Sequence, residues 1–137
     1  MKRLIDVVAA SLGLLVLWPL LVIVAVLVRC TSRGPALFRQ ERMGRTFLPF
    51  RILKFRTMVW DAPQRGGAIT VGADPRITRL GRILRKTKVD ELPQLINVLR
   101  GEMSLVGPRP CTPYEEESYR PWQRARFDTL PGLTGLW

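Results

Sequence analysis

The run Val7-Val8-Ala9-Ala10-Ser11-Leu12-Gly13-Leu14-Leu15-Val16-Leu17-Trp18-Pro19-Leu20-Leu21-Val22-Ile23-Val24-Ala25-Val26-Leu27-Val28 carries no charged side chain. A hydrocarbon core needs about 20 such residues, so the run predicts a membrane-inserted helix. A cleavable leader is a poor match, because the apolar core is too long and Arg29-Cys30-Thr31-Ser32 makes a poor cleavage site. Both flanks are basic, with Lys2 and Arg3 before the run and Arg29 and Arg33 after it. Positive charge marks the cytoplasmic side of a span, so two basic flanks favour no crossing direction. Pro19 in the middle removes a helix hydrogen bond. Two topologies stay open from these residues: a straight spanning helix, and a re-entrant helix-break-helix that turns at Pro19 and leaves by the face it entered.

Outward from this run, charge is unevenly spread. The 137 residues hold 22 Lys plus Arg against 11 Asp plus Glu, a net charge of +11, and no histidine. That length suits one compact domain and argues against a two-domain enzyme. Without imidazole, a His-Asp triad and His-ligated zinc are excluded, and proton work falls to carboxylates, lysines or water. Cys30 and Cys111 are too few for a thiolate metal site and read as reduced. Between Arg29 and Lys88 stand fifteen Lys or Arg and three acids, a net of +12, whereas Val89–Trp137 nets −2. A basic zone beside a membrane insertion predicts docking on anionic lipid, worth about 1 kcal/mol per residue near the surface. Nucleic acid is not expected, since no binding motif accompanies the charge.

The predicted organisation is residues 1–33 as the membrane element and 34–137 as a membrane-surface module. The module reads as mostly helical α+β. Ala36–Gln40 and Phe47–Met58, separated by Gly44, read as a short β-hairpin. Asp61–Gly72 is a loop. Asp74 or Thr78 starts a basic amphipathic helix with Ile77, Leu80, Ile83 and Leu84 on its apolar side. In the next helix Asp90 suits the N-cap, Leu92, Leu95, Ile96 and Leu99 form the buried stripe, and Gly101 is the stop. Pro108 and Pro110 then stiffen the backbone around Arg109.

Among the acids, only the pair Asp90-Glu91 couples two carboxylates to a structured position. Its bland explanation is helix capping. Its chemical one is phosphoryl transfer, because Arg85, Lys86 and Lys88 precede it and a helix start beside cations suits phosphate. One carboxylate can attack phosphorus while the other holds a divalent metal or a proton. Glycosidase chemistry fits less well, since its two acids must flank a sugar at about 5–9.5 Å.

Four motifs occur in register: Lys54-Phe55-Arg56-Thr57-Met58; Asp90-Glu91-Leu92-Pro93-Gln94-Leu95 with Asn97-Val98-Leu99; Met103-Ser104-Leu105-Val106-Gly107-Pro108-Arg109-Pro110; and Pro131-Gly132-Leu133-Thr134-Gly135. Together with Lys2-Arg3 and Asp6, their order and spacing resemble the bacterial sugar transferase family, the monotopic phosphoglycosyl transferases. The resemblance implies transfer of a sugar-1-phosphate from a nucleotide-diphosphate sugar, usually a UDP-sugar, to a polyprenol phosphate such as undecaprenyl phosphate. This step begins a bacterial glycan: exopolysaccharide, capsule, O-antigen of lipopolysaccharide, or glycoprotein. It implies a re-entrant membrane helix at the cytoplasmic face of the inner membrane and magnesium (Mg2+) as cofactor. Asp90 is implied as the nucleophile forming a phosphosugar intermediate, with Glu91 as its metal-binding or proton-handling partner. Arg85, Arg109, Lys54 and Arg56 are the expected substrate contacts and Pro19 the membrane break; self-association is left open. The family's pattern runs on past Pro-Gly-x-Thr-Gly into further active-site groups, so the resemblance implies a C-terminally truncated chain. The competing expectation is a non-catalytic lipid-binding module.

Overall fold

A computed structural model describes residues 1–67, 70 and 72–135. Helix α1 spans Lys2–Thr31, strands β1 (Leu37–Met43) and β2 (Pro49–Phe55) follow, and α2 (Arg79–Thr87) and α3 (Gln94–Arg100) carry the centre. Strand β3 (Ser104–Val106), the one-turn helix α4 (Pro113–Glu116) and strand β4 (Gly132–Thr134) complete it. Short 3₁₀ turns occupy Arg45–Phe47, Ala62–Arg65, Val89–Glu91 and Pro121–Asp128.

The hairpin forms as expected, with β1 antiparallel to β2 from Leu37 opposite Phe55 to Met43 opposite Pro49. Helix α2 starts at Thr78, whose hydroxyl accepts from the Gly81 N–H, an N-cap bond. The loop after Asp61 is better tied than its composition suggests. Arg76 donates to Asp74 and to the carbonyls of Ala62 and Gly67.

The expected helix-break-helix is corrected. Helix α1 runs unbroken through Pro19 for 30 residues, about 45 Å. Proline lacks only its own N–H, and packing on both sides of it keeps the helix going: Leu14 and Leu17 on one cluster, Leu21 and Ala25 on the next.

Packing along α1 organises the architecture. Asp6, Ala10, Gly13, Leu14, Leu17, Leu21, Val24, Ala25 and Val28 recur along one face and are buried or half-buried. The N-terminal half seats Ala10 with Ile52, Leu95, Val98 and Met103. The C-terminal half seats Val24 and Val28 with Phe55 and Leu84. Polar bonds fasten both ends. Arg3 donates to the carbonyls of Val98 and Leu99 at the end of α3, and Asp6 accepts from Ser104 Oγ (2.8 Å) and the Leu105 N–H (3.2 Å). At the other end Arg56 Nη2 donates to the Ser32 carbonyl at 2.7 Å and to that of Val28 at 3.4 Å. The opposite face of α1, including Leu4, Leu15, Val16, Trp18 and Ile23, is exposed and apolar.

Candidate active site

The chain leaves α2 through Lys88, which sits in the left-handed region (φ 62°) and turns it into Val89–Glu91. Helix α3 begins only at Gln94, with Pro93 at its cap position and no side-chain cap bond. The reading of Asp90 as an N-cap is therefore corrected: the proline delays the helix, and Asp90 lies in the tight turn before it. Its side chain is buried at 7% exposure, and Oδ1 has no hydrogen-bond partner among the described residues. A buried carboxylate oxygen without a partner is costly and rare in a folded protein.

Glu91 is held differently. Lys54 Nζ lies 2.9 Å from Glu91 Oε1. Burial alone would raise the pKa of Glu91, but the Lys54 bond and the charges of Lys54, Lys88 and Arg109 outweigh it and hold Glu91 below the usual range. For Asp90 burial wins. It pushes the carboxyl above its ordinary value against Lys54, Arg85 and Lys88, and the negative charge of Glu91 adds to the rise. Two adjacent carboxylates are thus driven apart, an arrangement that suits division of chemical labour.

The strand β2 motif supplies three separate functions. Lys54 reaches the dyad, and Thr57 Oγ1 accepts from Arg85 Nε at 2.9 Å, fixing that guanidinium near Asp90. Gly81 permits the approach, since a side chain there would strike the Thr57 carbonyl. Arg56 is not gathered with the others. It caps the carbonyls at the end of α1 and is not among the charges acting on the dyad.

Arg109 acts electrostatically on Glu91 from a stiff platform. Four consecutive carbonyls around it are each taken by another element: Pro108 by the Gly132 N–H, Arg109 by Arg126, Pro110 by Arg42, and Cys111 by the Met43 N–H. Strands β3 and β4 pair in parallel, Ser104 opposite Gly132 and Val106 opposite Thr134. A side chain on Gly132 would collide with the backbone of Gly107, which explains why two glycine motifs recur far apart in the sequence.

Four other acids have structural partners. Asp61 pairs with Arg65, Asp74 with Arg76, Glu115 with Arg42, and Glu102 accepts from Asn97. Asn97, fully buried, also accepts from the Leu53 N–H and donates to the Arg51 carbonyl, tying α3 to β2 beneath the dyad. Sequence reading missed this anchor and that of Asp6; an amide on an otherwise apolar helix stripe was the available signal. No cluster of three metal-ligating side chains occurs among the described residues. A magnesium ion would fit the free Asp90 oxygen with Glu91 beside it, because this ion takes one or two carboxylates and completes its shell with phosphate oxygens and water.

The model of the bacterial sugar transferase family matches residues 1–137. The chain is 50% identical over 98% of its length to the UDP-glucose:undecaprenyl-phosphate glucose-1-phosphate transferase of Caulobacter vibrioides, of which it covers 52%. It is 47% identical over 99% of its length to the exopolysaccharide production protein PSS of Rhizobium leguminosarum, covering 72% of that protein. Against the UDP-glucose:undecaprenyl-phosphate glucose-1-phosphate transferase of Escherichia coli the identity is 42% over 98% of the chain, and the coverage 30%. The chain thus spans about half the length of the Caulobacter relative and less of the Escherichia one.

Proposed function

This chain belongs to the bacterial sugar transferase family, and we propose that it transfers a sugar-1-phosphate from a UDP-sugar to undecaprenyl phosphate or a similar polyprenol phosphate, beginning a cell-surface glycan. The observation that carries this reading is the buried Asp90 with one unpartnered oxygen, lying within the field of Lys54, Arg85 and Lys88. In the first step an Asp90 oxygen attacks the sugar-bearing phosphorus. The bond from that phosphorus to the UMP oxygen breaks, UMP leaves, and a phosphosugar-Asp90 acyl phosphate remains. In the second, a phosphate oxygen of the polyprenol phosphate attacks the same phosphorus and Asp90 departs as a carboxylate. Burial strips water from the Asp90 carboxylate, which makes it more reactive once ionised, and Lys54 keeps Glu91 charged beside it. Arg85 and Arg109 neutralise phosphate charge, worth most where water is excluded. Asp90 and Glu91 would hold magnesium, which would supply further screening of that charge.

The same reading puts the chain on the cytoplasmic face of the bacterial inner membrane with both ends of α1 on one side. Its support is that Arg3 and Asp6 at one end, and Val28 and Ser32 at the other, bond to the same module. A perpendicular span would carry one end across about 30 Å of hydrocarbon and break one set of these bonds.

The test is incubation of the chain with UDP-glucose or UDP-N-acetylgalactosamine and magnesium, without polyprenol phosphate. UMP release limited to one equivalent, with a phosphosugar adduct on the Asp90 peptide, is expected. Turnover with no adduct and unchanged activity in Asp90→Asn would overturn the covalent mechanism.

A further inference from the structure

The motif Lys54-Phe55-Arg56-Thr57 sends two side chains to the two ends of one short segment. Lys54 Nζ bonds to Glu91 at one end, and Thr57 Oγ1 accepts from Arg85 Nε at the other. That segment is tightly wound. The Arg85 carbonyl accepts from the Lys88 N–H at 3.3 Å, and the Lys88 carbonyl accepts from the Glu91 N–H at 3.2 Å. With the backbone held between Arg85 and the dyad, the freedom left to the guanidinium is rotation about its own side-chain bonds.

Thr57 takes that freedom away. It is buried, its carbonyl accepts from the Thr78 N–H at 3.0 Å, and Gly81 leaves room for it against α2. Its hydroxyl is therefore a fixed point, and Arg85 Nε is the one group it bonds among the described residues. A guanidinium offers two forks of donors, one made of Nε with an Nη and one made of both Nη groups. Thr57 occupies Nε and closes the first. Neither Nη has a hydrogen-bond partner among the described residues, so the second stays open.

The holder is also uncharged. A carboxylate in place of the Thr57 hydroxyl would grip Arg85 more strongly and cancel the charge that attracts phosphate. Arg85 acts on Asp74 and on Asp90. Asp74 is taken up by Arg76, whereas Asp90 keeps its unpartnered oxygen.

We propose that Thr57 is a positioning residue: its hydroxyl holds Arg85 by Nε so that the two Nη groups grip two oxygens of the phosphate that Asp90 attacks. This role rests on the transferase reading. A loosely held arginine still attracts a phosphate but meets its developing charge in many orientations, so losing the hydroxyl falls on the chemical step and not on binding.

The experiment follows two signals from the full chain in detergent: water exchange of the Arg85 Nε–H by NMR, and single-turnover UMP release from UDP-glucose with magnesium. Thr57→Val keeps the shape of the side chain and removes the acceptor. Its Arg85 Nε–H should exchange about tenfold faster, and its UMP release at saturating UDP-glucose should slow about tenfold, with half-saturation within about twofold and the melting temperature unchanged. Thr57→Ala, which cannot crowd the site, should behave alike. Thr57→Ser keeps the oxygen and should restore both signals to within about threefold of the unaltered chain. In an Arg85→Met background, Thr57→Val should change the remaining rate by less than about twofold, because no guanidinium is left to hold. Unchanged Nε–H exchange in both Thr57→Val and Thr57→Ala, a loss seen only in half-saturation, no rescue by Thr57→Ser, or the full loss persisting beside Arg85→Met would each overturn the positioning role while leaving the transferase reading intact. Absence of UMP release from the unaltered chain would overturn both.

Discussion

Asp6 and Asp90 are both buried, at 4% and 7% exposure, yet their surroundings are opposite. Both oxygens of Asp6 are used, one by a hydroxyl and one by a backbone N–H, so its burial joins two segments separated by 98 positions. Asp90 keeps an oxygen without a partner among the described residues and sits among charges that act on it at a distance. A satisfied buried carboxylate holds structure together. An unsatisfied one is a cost that the fold tolerates where a ligand or reaction uses it.

The largest expected effect tests the Asp90 side of this contrast. Asp90→Asn should lower the transfer rate by about 10³-fold or more, equivalent to about 4 kcal/mol in the barrier, while the melting temperature stays within a degree or two. A large loss of stability instead would make Asp90 a second Asp6. The complementary change, Asp6→Ala, strands Ser104 and the Leu105 N–H and should destabilise by about 2 kcal/mol. Adding Ser104→Ala should cost less than the sum of the single losses, and denaturation in detergent measures that coupling. Strict additivity would mean that the two residues do not act as a pair.

A third buried acid sharpens the contrast through pH. Arg76 bonds to Asp74 and holds its carboxyl down at about 2, against 3.8 unperturbed. A depressed value means that the folded state keeps Asp74 ionised where the unfolded chain would protonate it. The stabilisation is therefore complete above pH 3.8 and is lost as pH falls through about 2. Asp74→Asn should melt below the unaltered chain at pH 7, and the gap should narrow between pH 4 and 2. A gap constant across that window would contradict the assignment. The smallest effect is expected at Pro19. Because α1 is continuous there and fastened at both ends, Pro19→Leu should leave an N-terminal and a C-terminal tag labelled from the same side of the membrane. A shift of the N-terminal tag alone would show that proline, rather than docking, sets the topology.

Much was legible in the sequence where the signal is local. The apolar run marked the body of α1, the strand patterns around Gly44 the hairpin, and Thr78, one of two candidate starts, the N-cap of α2. Asp90-Glu91 stood out because two acids follow a row of cations, and the four motifs carried the family. The remainder depended on which segments meet. Helix α1 is apolar on every side, so no periodicity in the sequence could say which stripe packs inward; only the module against it decides. Lys54 and Arg56 look alike in one motif but part company at the end of β2, one to Glu91 and the other to the end of α1. Asp90 resembles a cap until Pro93 delays the helix behind it. Propensity and spacing act over a few residues, whereas the satisfaction of a buried charge depends on side chains brought in from distant positions by the whole fold.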